Sequence, residues 1–295
     1  MNITIYKKFE PIYIIGHEHS DIDSIVSSKI LCNIFNDAGI KAYYAILDSD
    51  YEIDEYNKSM IDECMDYGPV IVKRKDIEKY NWFLVDHNDV SQSIKIKTNV
   101  IGCIDHHINS NQLKNIMLSN MCSNALFIYN IFKKDYNFSK EQKYQIFLAF
   151  LCDSTYGKSS KYRIEDGVIA DELGFGHDYE KYFKKFFKTT NLSKGVKKAL
   201  YTSYKKYNFD KIKIESSSIN AYGIKGLKKY KNLISKIESF FGIWKDYKSN
   251  KTYVIFNYES KIKEFKYDFI ASRATTILND VLKYIKEGDN NEWCI

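Results

Sequence analysis

Proline is nearly missing from this chain, with two in 295 residues, Pro11 and Pro69. Both stand just ahead of apolar runs, a position compatible with the first residue of a strand. There is no internal repeat and no low-complexity block, which leaves ordinary folded domains. No apolar run approaches the roughly 18 residues of a membrane span, and the opening MNITIYKKFE lacks the apolar core of a signal peptide. The expected address is therefore cytoplasmic, with the nucleus as the other choice. None of the six cysteines (Cys32, Cys64, Cys103, Cys122, Cys152, Cys294) stands in a C-x-x-C pair, which excludes the usual zinc-knuckle and redox-couple patterns. They read as reduced packing thiols. Arginine is scarce as well: Arg74, Arg163 and Arg273 are three among 44 basic residues. The net charge of +6 is carried by lysines spread along the chain without an RNA- or DNA-binding signature, so nucleic acid is not the expected partner.

What is present is a soluble composition, 44% hydrophobic and 28% charged, in a length that accommodates two domains of about 100 to 200 residues each. After PIYIIGH, the segment DSIVSSKILCNIF has apolar residues at helical spacing, and KAYYAIL reads as a second strand. Short apolar runs recur at VIVK, NWFLVD and VIGCID. This alternation predicts an α/β domain with a mainly parallel sheet covered by helices on both faces. Helical patterns follow at SNALFIYNIF and EQKYQIFLAFLCD. Beyond a lysine-rich stretch from about residue 178 to 200, KIKIESSSINAYGI, TYVIFNYE and FKYDFIAS read as strands, with helices at GLKKYKNLISKIESFF and RATTILNDVLKYI. The expected organisation is a Rossmann-like domain over residues 1–185, a linker over 186–200 and a smaller α+β domain over 201–295.

Five of the six histidines fall in three short segments: His17 and His19 in GHEHSDIDS, His87 in LVDHND, and His106 and His107 in CIDHH. Each segment follows a strand pattern and carries aspartate. One such Asp or His alone is ordinarily a turn former, a helix cap or a satisfied core residue. Three His/Asp clusters at the carboxyl ends of three strands, where an open parallel sheet forms its ligand crevice, are not explained by turns. Imidazole with carboxylate suits Mn, Co, Fe, Zn or Ni. Several aspartates beside few histidines point to two ions sharing a carboxylate, about 3.5 to 4 Å apart, holding a hydroxide nucleophile against a phosphoryl group.

These three segments resemble the leading motifs of the DHH phosphoesterase superfamily, and most nearly those of the manganese-dependent family II inorganic pyrophosphatases. NWFLVDHNDVSQSIKIKTNVIGCIDHH follows that family across its length, LCDSTYGKSS resembles its fourth motif, and ASRATTILNDVL resembles the Ser-Arg-Lys segment of the second domain, called DHHA2. The resemblance implies that His17, Asp21 and Asp86 hold one metal, and that Asp23, Asp86, His106 and Asp153 hold the other, with Asp86 as the bridge. Mn2+ is the implied ion, Co2+ and Mg2+ the other choices. His107 would face the substrate, with Asp105 orienting histidines, His87 behind the ligands and His19 at the rim. Arg273, Lys194 and Lys158 would hold a small anionic phosphate substrate. The resemblance also implies a homodimer through the first domain's sheet edge, on which no residue decides.

Three departures bear on the substrate. Ala274 stands where the family has lysine after Arg273, Ile108 stands where arginine follows the third-motif histidines, and the first motif reads SDID rather than Pro-Asp-Thr-Asp. The expected function is a two-metal phosphoanhydride hydrolase, a manganese-dependent inorganic pyrophosphatase in the first instance. An exopolyphosphatase, a nucleotide or cyclic-nucleotide phosphodiesterase of the same superfamily, and a non-catalytic metal- and phosphate-binding regulator stay open as alternatives.

Overall fold

The computed structural model describes residues 2–18, 20–48, 58–64, 68–95, 99–107, 113, 115–187, 198, 200, 203–209 and 212–287. The chain divides into two compact units, Met1–Gly157 with Tyr162–Phe186, and Lys158–Lys161 with Phe187–Ile295. Among the described residues no helix is long and apolar enough to cross a membrane.

The first unit is built on six strands: β1 (Ile12–Ile15), β2 (Ala42–Leu47), β3 (Val70–Val72), β4 (Asn81–Val85), β5 (Val100–Asp105) and β6 (Ile116–Leu118). They lie in the order β3-β2-β1-β4-β5-β6 with every pairing parallel. The order reverses between β1 and β4, and at such a switch point an open parallel sheet leaves a crevice at its carboxyl edge. The helices are α1 (Ile22–Asp37), α2 (Lys58–Cys64), α3 (Asn124–Phe132), α4 (Lys140–Asp153), α5 (Ile164–Asp171) and α6 (Tyr179–Phe186).

Side chains alternate between the two faces of the sheet. Ile12, Ile14, Phe83 and Val85 join a core with Ile25 of α1, Leu126 of α3 and Phe147 of α4. Ile15, Trp82 and Leu84 instead pack with Ile77, Val90 and Ile94. The expected cover of helices on both faces is thus replaced, among the described residues, by helices on one face and by 3-10 turns at Arg74–Lys79 and Val90–Gln92 on the other. The connections 73–80 and 86–99 lie close to or below the dozen or so residues that a helical crossover needs.

The approach of α1 to the end of β1 depends on one residue. A Cβ on Gly16 would sit 1.8 Å from Ser24 Oγ, and that hydroxyl accepts the His17 backbone N–H at 3.1 Å. Glycine is required here by contact, not by dihedral angle.

The second unit has a five-stranded mixed sheet: β7 (Lys205–Phe209), β8 (Ile212–Ala221), β9 (Phe240–Asp246), β10 (Lys251–Tyr258) and β11 (Lys261–Tyr267). The order is β11-β10-β9-β8-β7, parallel between β8 and β9 and antiparallel elsewhere. Helices α7 (Leu227–Ile234) and α8 (Leu278–Glu287) cover opposite faces. The helix expected over GLKKYKNLISKIESFF therefore ends at Ile234, and its last residues open β9. FFGIWKD is divided between two cores, Phe241 and Ile243 on one side and Phe240 and Trp244 on the other, which only a period of two achieves. Gly242 in that strand leaves room for α7, since a Cβ would come within 2.4 Å of Ile234 Cγ1. The strand expected at FKYDFIAS is only the tail of β11, and the helix expected from Arg273 begins as a π turn, Arg273–Ile277.

The Gly16 contact yields a stability prediction. Gly16→Ala should lower the unfolding free energy of the first unit by about 1–3 kcal/mol, the usual cost of overpacking a closed core. Urea denaturation followed by tryptophan fluorescence, with Trp82 in this unit, reads the shift in midpoint.

Candidate metal centre

Four chain segments end at the carboxyl edge of the parallel sheet. His17 follows β1, and Asp21 is the N-cap of α1, accepting the Ser24 N–H at 3.0 Å, with Asp23 in the first helical turn. Asp86 directly follows β4 at φ 61°, left-handed backbone that Asp tolerates better than most residues. Asp105 closes β5, with His106 and His107 next. Asp153 is the last residue of α4.

These residues converge in three overlapping groups: His17, Asp21 and Asp86; Asp23, His106 and Asp153; and Asp86, Asp105, His106 and His107. Within each group one ligand atom per residue lies within 4.8 Å of the others. Asp86 divides its two oxygens between them. Its Oδ2 is 3.4 Å from His17 Nε2, and its Oδ1 is 3.1 Å from His106 Nε2. Asp21 Oδ2 lies 3.5 Å from His17 Nε2, while Asp23 Oδ2 and Asp153 Oδ2 lie 3.8 and 3.5 Å from His106 Nε2.

The outer nitrogens fix the rings. His17 Nδ1 meets the Glu18 carbonyl at 2.7 Å and His106 Nδ1 the Met121 carbonyl at 3.0 Å. A carbonyl accepts only, so Nδ1 carries the proton in each neutral ring and Nε2 turns a lone pair toward carboxylates. Facing carboxylates, that nitrogen calls for a cation, either a proton or a metal ion. Burial opposes charge on His17, yet Asp21 and Asp86 outweigh it and push its imidazole up to about 10. Burial likewise opposes the Asp86 charge, but His106 and His17 hold it well below the usual carboxylate range. Asp23 goes the other way, pushed well above that range by burial and then by Asp86 and Asp153. Asp153 adds a carboxylate at a helix C-terminus, the end whose own dipole disfavours anions. Among the described residues, Asp86 Oδ1 is buried and accepts no hydrogen bond. The donor set fits divalent ions that take mixed nitrogen and oxygen ligands.

Exposure separates the roles of the histidines. The side chains of His17 and His106 are 5% and 1% exposed, while that of His107 is 26% exposed. His107 Nδ1 donates to Asp105 Oδ1 at 2.9 Å, and the same oxygen accepts the backbone N–H groups of His106 and His107. His87 lies outside the three groups. Its Nδ1 meets the Val85 carbonyl at 2.8 Å and its Nε2 meets Ser93 Oγ at 2.6 Å, and burial, then the charge of His17, pulls it down to about 4.

One support went unread in the sequence. Asp23 accepts from Ser123 Oγ at 2.9 Å and from the backbone N–H groups of Asn124 and Ala125 at 2.6 and 2.9 Å. The N-terminus of α3 is thus aimed at a candidate ligand. Ser123 ahead of an apolar run signals a helix start, but nothing local links it to Asp23.

Of the residues expected to bind phosphate, Arg273 and Lys158 belong to the second unit. Ser160 joins their segments: its N–H donates to the Ile270 carbonyl at 3.3 Å, and its hydroxyl accepts the Ser272 N–H at 2.9 Å. Lys158 is exposed. Arg273 Nη1 donates to the Ser203 carbonyl and, at 3.1 Å, to Ser203 Oγ. His19, Ile108 and Lys194 lie outside the described residues.

With this geometry in hand, comparison with known proteins is decisive for the first unit. Residues 11–152 match the model of the DHH family, N-terminal domain. The first unit is a DHH-family domain. A manganese-dependent inorganic pyrophosphatase of Methanothrix thermoacetophila is 27% identical over 213 residues, 68% of this chain and 67% of that one. Another of that name, from Bacillus subtilis, is 26% identical over 231 residues, 75% of this chain and 74% of that one. A crystal structure from Methanococcus jannaschii, provisionally assigned as a family II inorganic pyrophosphatase, superposes with a TM-score of 0.74 at 16% identity and covers 90% of this chain and 97% of that one. That likeness speaks to the fold, and it extends beyond the DHH unit.

Two measurements test this centre. Mn2+ at a hundred times its dissociation constant should stabilise the DHH unit by about 2.7 kcal/mol per site, seen as a rise in melting temperature that EDTA reverses and Asp86→Ala removes. The second concerns pH. A neutral imidazole held at about 4 against 6.5 binds fewer protons folded than unfolded between those values, so its contribution is present above pH 6.5 and lost as pH falls toward 4. The loss is on the order of 3 kcal/mol. His87→Asn should flatten that part of a urea-midpoint profile relative to the parent protein.

Proposed function

We propose that this chain is a metal-dependent phosphohydrolase that cleaves a phosphoanhydride, with pyrophosphate as substrate and manganese as the resident ion. The observation that carries the reading is the division of Asp86: one buried carboxylate offers one oxygen to the His17 and Asp21 group and the other to the His106 group. A carboxylate shared in this way suits two ions better than one. The DHH family and the pyrophosphatase relatives support the reaction class.

His17, Asp21 and Asp86 would hold one ion, and Asp23, Asp86, His106 and Asp153 the other. Bound divalent ions supply Lewis acidity, polarising phosphoryl oxygens and acidifying water. The remaining work belongs to the chain. His107, oriented by Asp105 through Nδ1, presents its other nitrogen to donate a hydrogen bond or a proton to the departing phosphate. Burial opposes the Asp105 charge, but His107 and His106 outweigh it and keep the carboxyl ionised, so it holds the Nδ1 proton of His107. Arg273 is the substrate-side guanidinium, whose planar fork matches a phosphate edge. Lys158 and Lys194 are the further cations assigned to the anion. Ala274 removes a positive charge that the resemblance places beside Arg273, so pyrophosphate should bind with a higher KM than where that lysine is present.

Phosphate release from pyrophosphate, tripolyphosphate and a panel of linear and cyclic dinucleotides, in Mn2+ and then Mg2+, tests the reading. Pyrophosphate should be cleaved fastest, in Mn2+. Asp86→Ala should lower kcat by about three orders of magnitude, the rate equivalent of several kcal/mol of lost charge stabilisation. Arg273→Ala should lower kcat/KM roughly 10- to 100-fold, with Arg273→Lys between. Cleavage of a dinucleotide with pyrophosphate untouched would retain the metal reading and replace the substrate. Bound metal with no turnover of any substrate would overturn the enzymatic reading in favour of a binding protein.

A further inference from the structure

We infer that Arg74 is a positioning residue for the ligand His17, acting through Glu18; the inference rests on the metal reading above. The tautomer and direction of the His17 ring depend on the Glu18 carbonyl, which Nδ1 meets at 2.7 Å. That carbonyl belongs to a loop between β1 and α1, so something must hold its peptide still. Glu18 is held from both ends. Its backbone N–H donates to the Gln92 carbonyl at 2.7 Å, and its side-chain Oε1 lies 2.8 Å from Arg74 Nη2 and 3.0 Å from Lys95 Nζ.

Arg74 is itself anchored. Its backbone N–H donates to Asp48 Oδ1 at 3.1 Å, just beyond β2, and its Nη1 lies 3.5 Å from the carbonyl of Ser93, whose hydroxyl meets His87. The guanidinium thus links the segment after β3 to the β1–α1 loop and to Ser93, just past the Val90–Gln92 turn. Lys95 makes the second ion pair, but at 52% exposure against 31% for Arg74 it is the more solvent-screened of the two. There is also a charge argument. Glu18 would add a carboxylate next to a site already crowded with Asp21, Asp23, Asp86, Asp105 and Asp153, and the two cations cancel it. Two contacts from the guanidinium go to Glu18 and Ser93, and through Glu18 they bear on the His17 ring.

Groups that hold a metal-binding imidazole in place from behind are worth about 10- to 100-fold in metal affinity. Mn2+ titrations followed by the electron paramagnetic resonance signal of the free ion should resolve two sites in the parent protein. In Arg74→Ala one site should weaken roughly tenfold while the other stays within about twofold, the unchanged site showing that the variant has folded. Arg74→Lys should recover part of the loss. Glu18→Gln should weaken the same site, and the double variant should be no worse than the more affected single variant, because both changes break one link. If Arg74→Ala leaves both affinities unchanged, or if the two changes add, the inference falls. Failure of the parent protein to bind Mn2+ at all would instead sink the metal reading, and this inference with it.

Discussion

The constraint on which the rest of the first unit depends is the cost of gathering carboxylates at one buried edge. Asp23, Asp86 and Asp105 are almost wholly buried, and Asp21 and Asp153 are partly so. Removing an ionised carboxylate from water costs several kcal/mol even after relaxation, unless charge or hydrogen bonds return it. The compensation is uneven. Asp21 accepts a backbone N–H at the start of α1, Asp23 takes two at the start of α3, and Asp105 takes those of His106 and His107. Asp86 and Asp153 lean instead on imidazoles, and Asp153 stands at the unfavourable end of a helix. The deficit is greatest where the two ligand groups meet. A cation between them would relieve several repulsions at once.

The substrate side follows different rules. Cations that would hold a phosphate can be lost without disturbing a core, so that side of the proposed site can change while the histidines and aspartates persist. Ala274 and Ile108 are changes of that sort, each exchanging a cation of the resembled family for an apolar side chain. In the second unit, Ser160 keeps the Lys158 segment hydrogen-bonded to the segment that leads into Arg273. Two of the expected anion-binding cations are thereby borne on neighbouring strands of chain even though they are more than a hundred positions apart in sequence.

Much of this was legible in the sequence. The parallel sheet follows from short apolar runs alternating with helical patterns, a metal site from the His/Asp clusters behind three of those runs, and the DHH domain from the resemblance of those segments to known motifs. The β9 strand was hidden by the helical period of the residues before it: GLKKYKNLI is a helix, and only the packing of Gly242 under Ile234 reveals where the pattern changes. Helices on both faces of the first sheet were expected because parallel sheets are usually covered that way. The lengths of the connections 73–80 and 86–99 argued otherwise.

The division between what could and could not be read has a physical origin. Metal ligation demands particular side chains, imidazole and carboxylate, so candidate ligands are written in residue type and spacing. Their supports are largely backbone atoms: the Glu18 and Met121 carbonyls that fix two histidines, and the Asn124 and Ala125 amides that hold Asp23. Every residue supplies a carbonyl and all but proline an amide, so such a support leaves almost no trace in composition or motif. It shows only where the chain folds back. Side chains that hold the supporting backbone in place, as Ser123 does for α3 and Arg74 and Glu18 do for His17, look like an ordinary helix cap and an ordinary ion pair until the atoms on their far side are known.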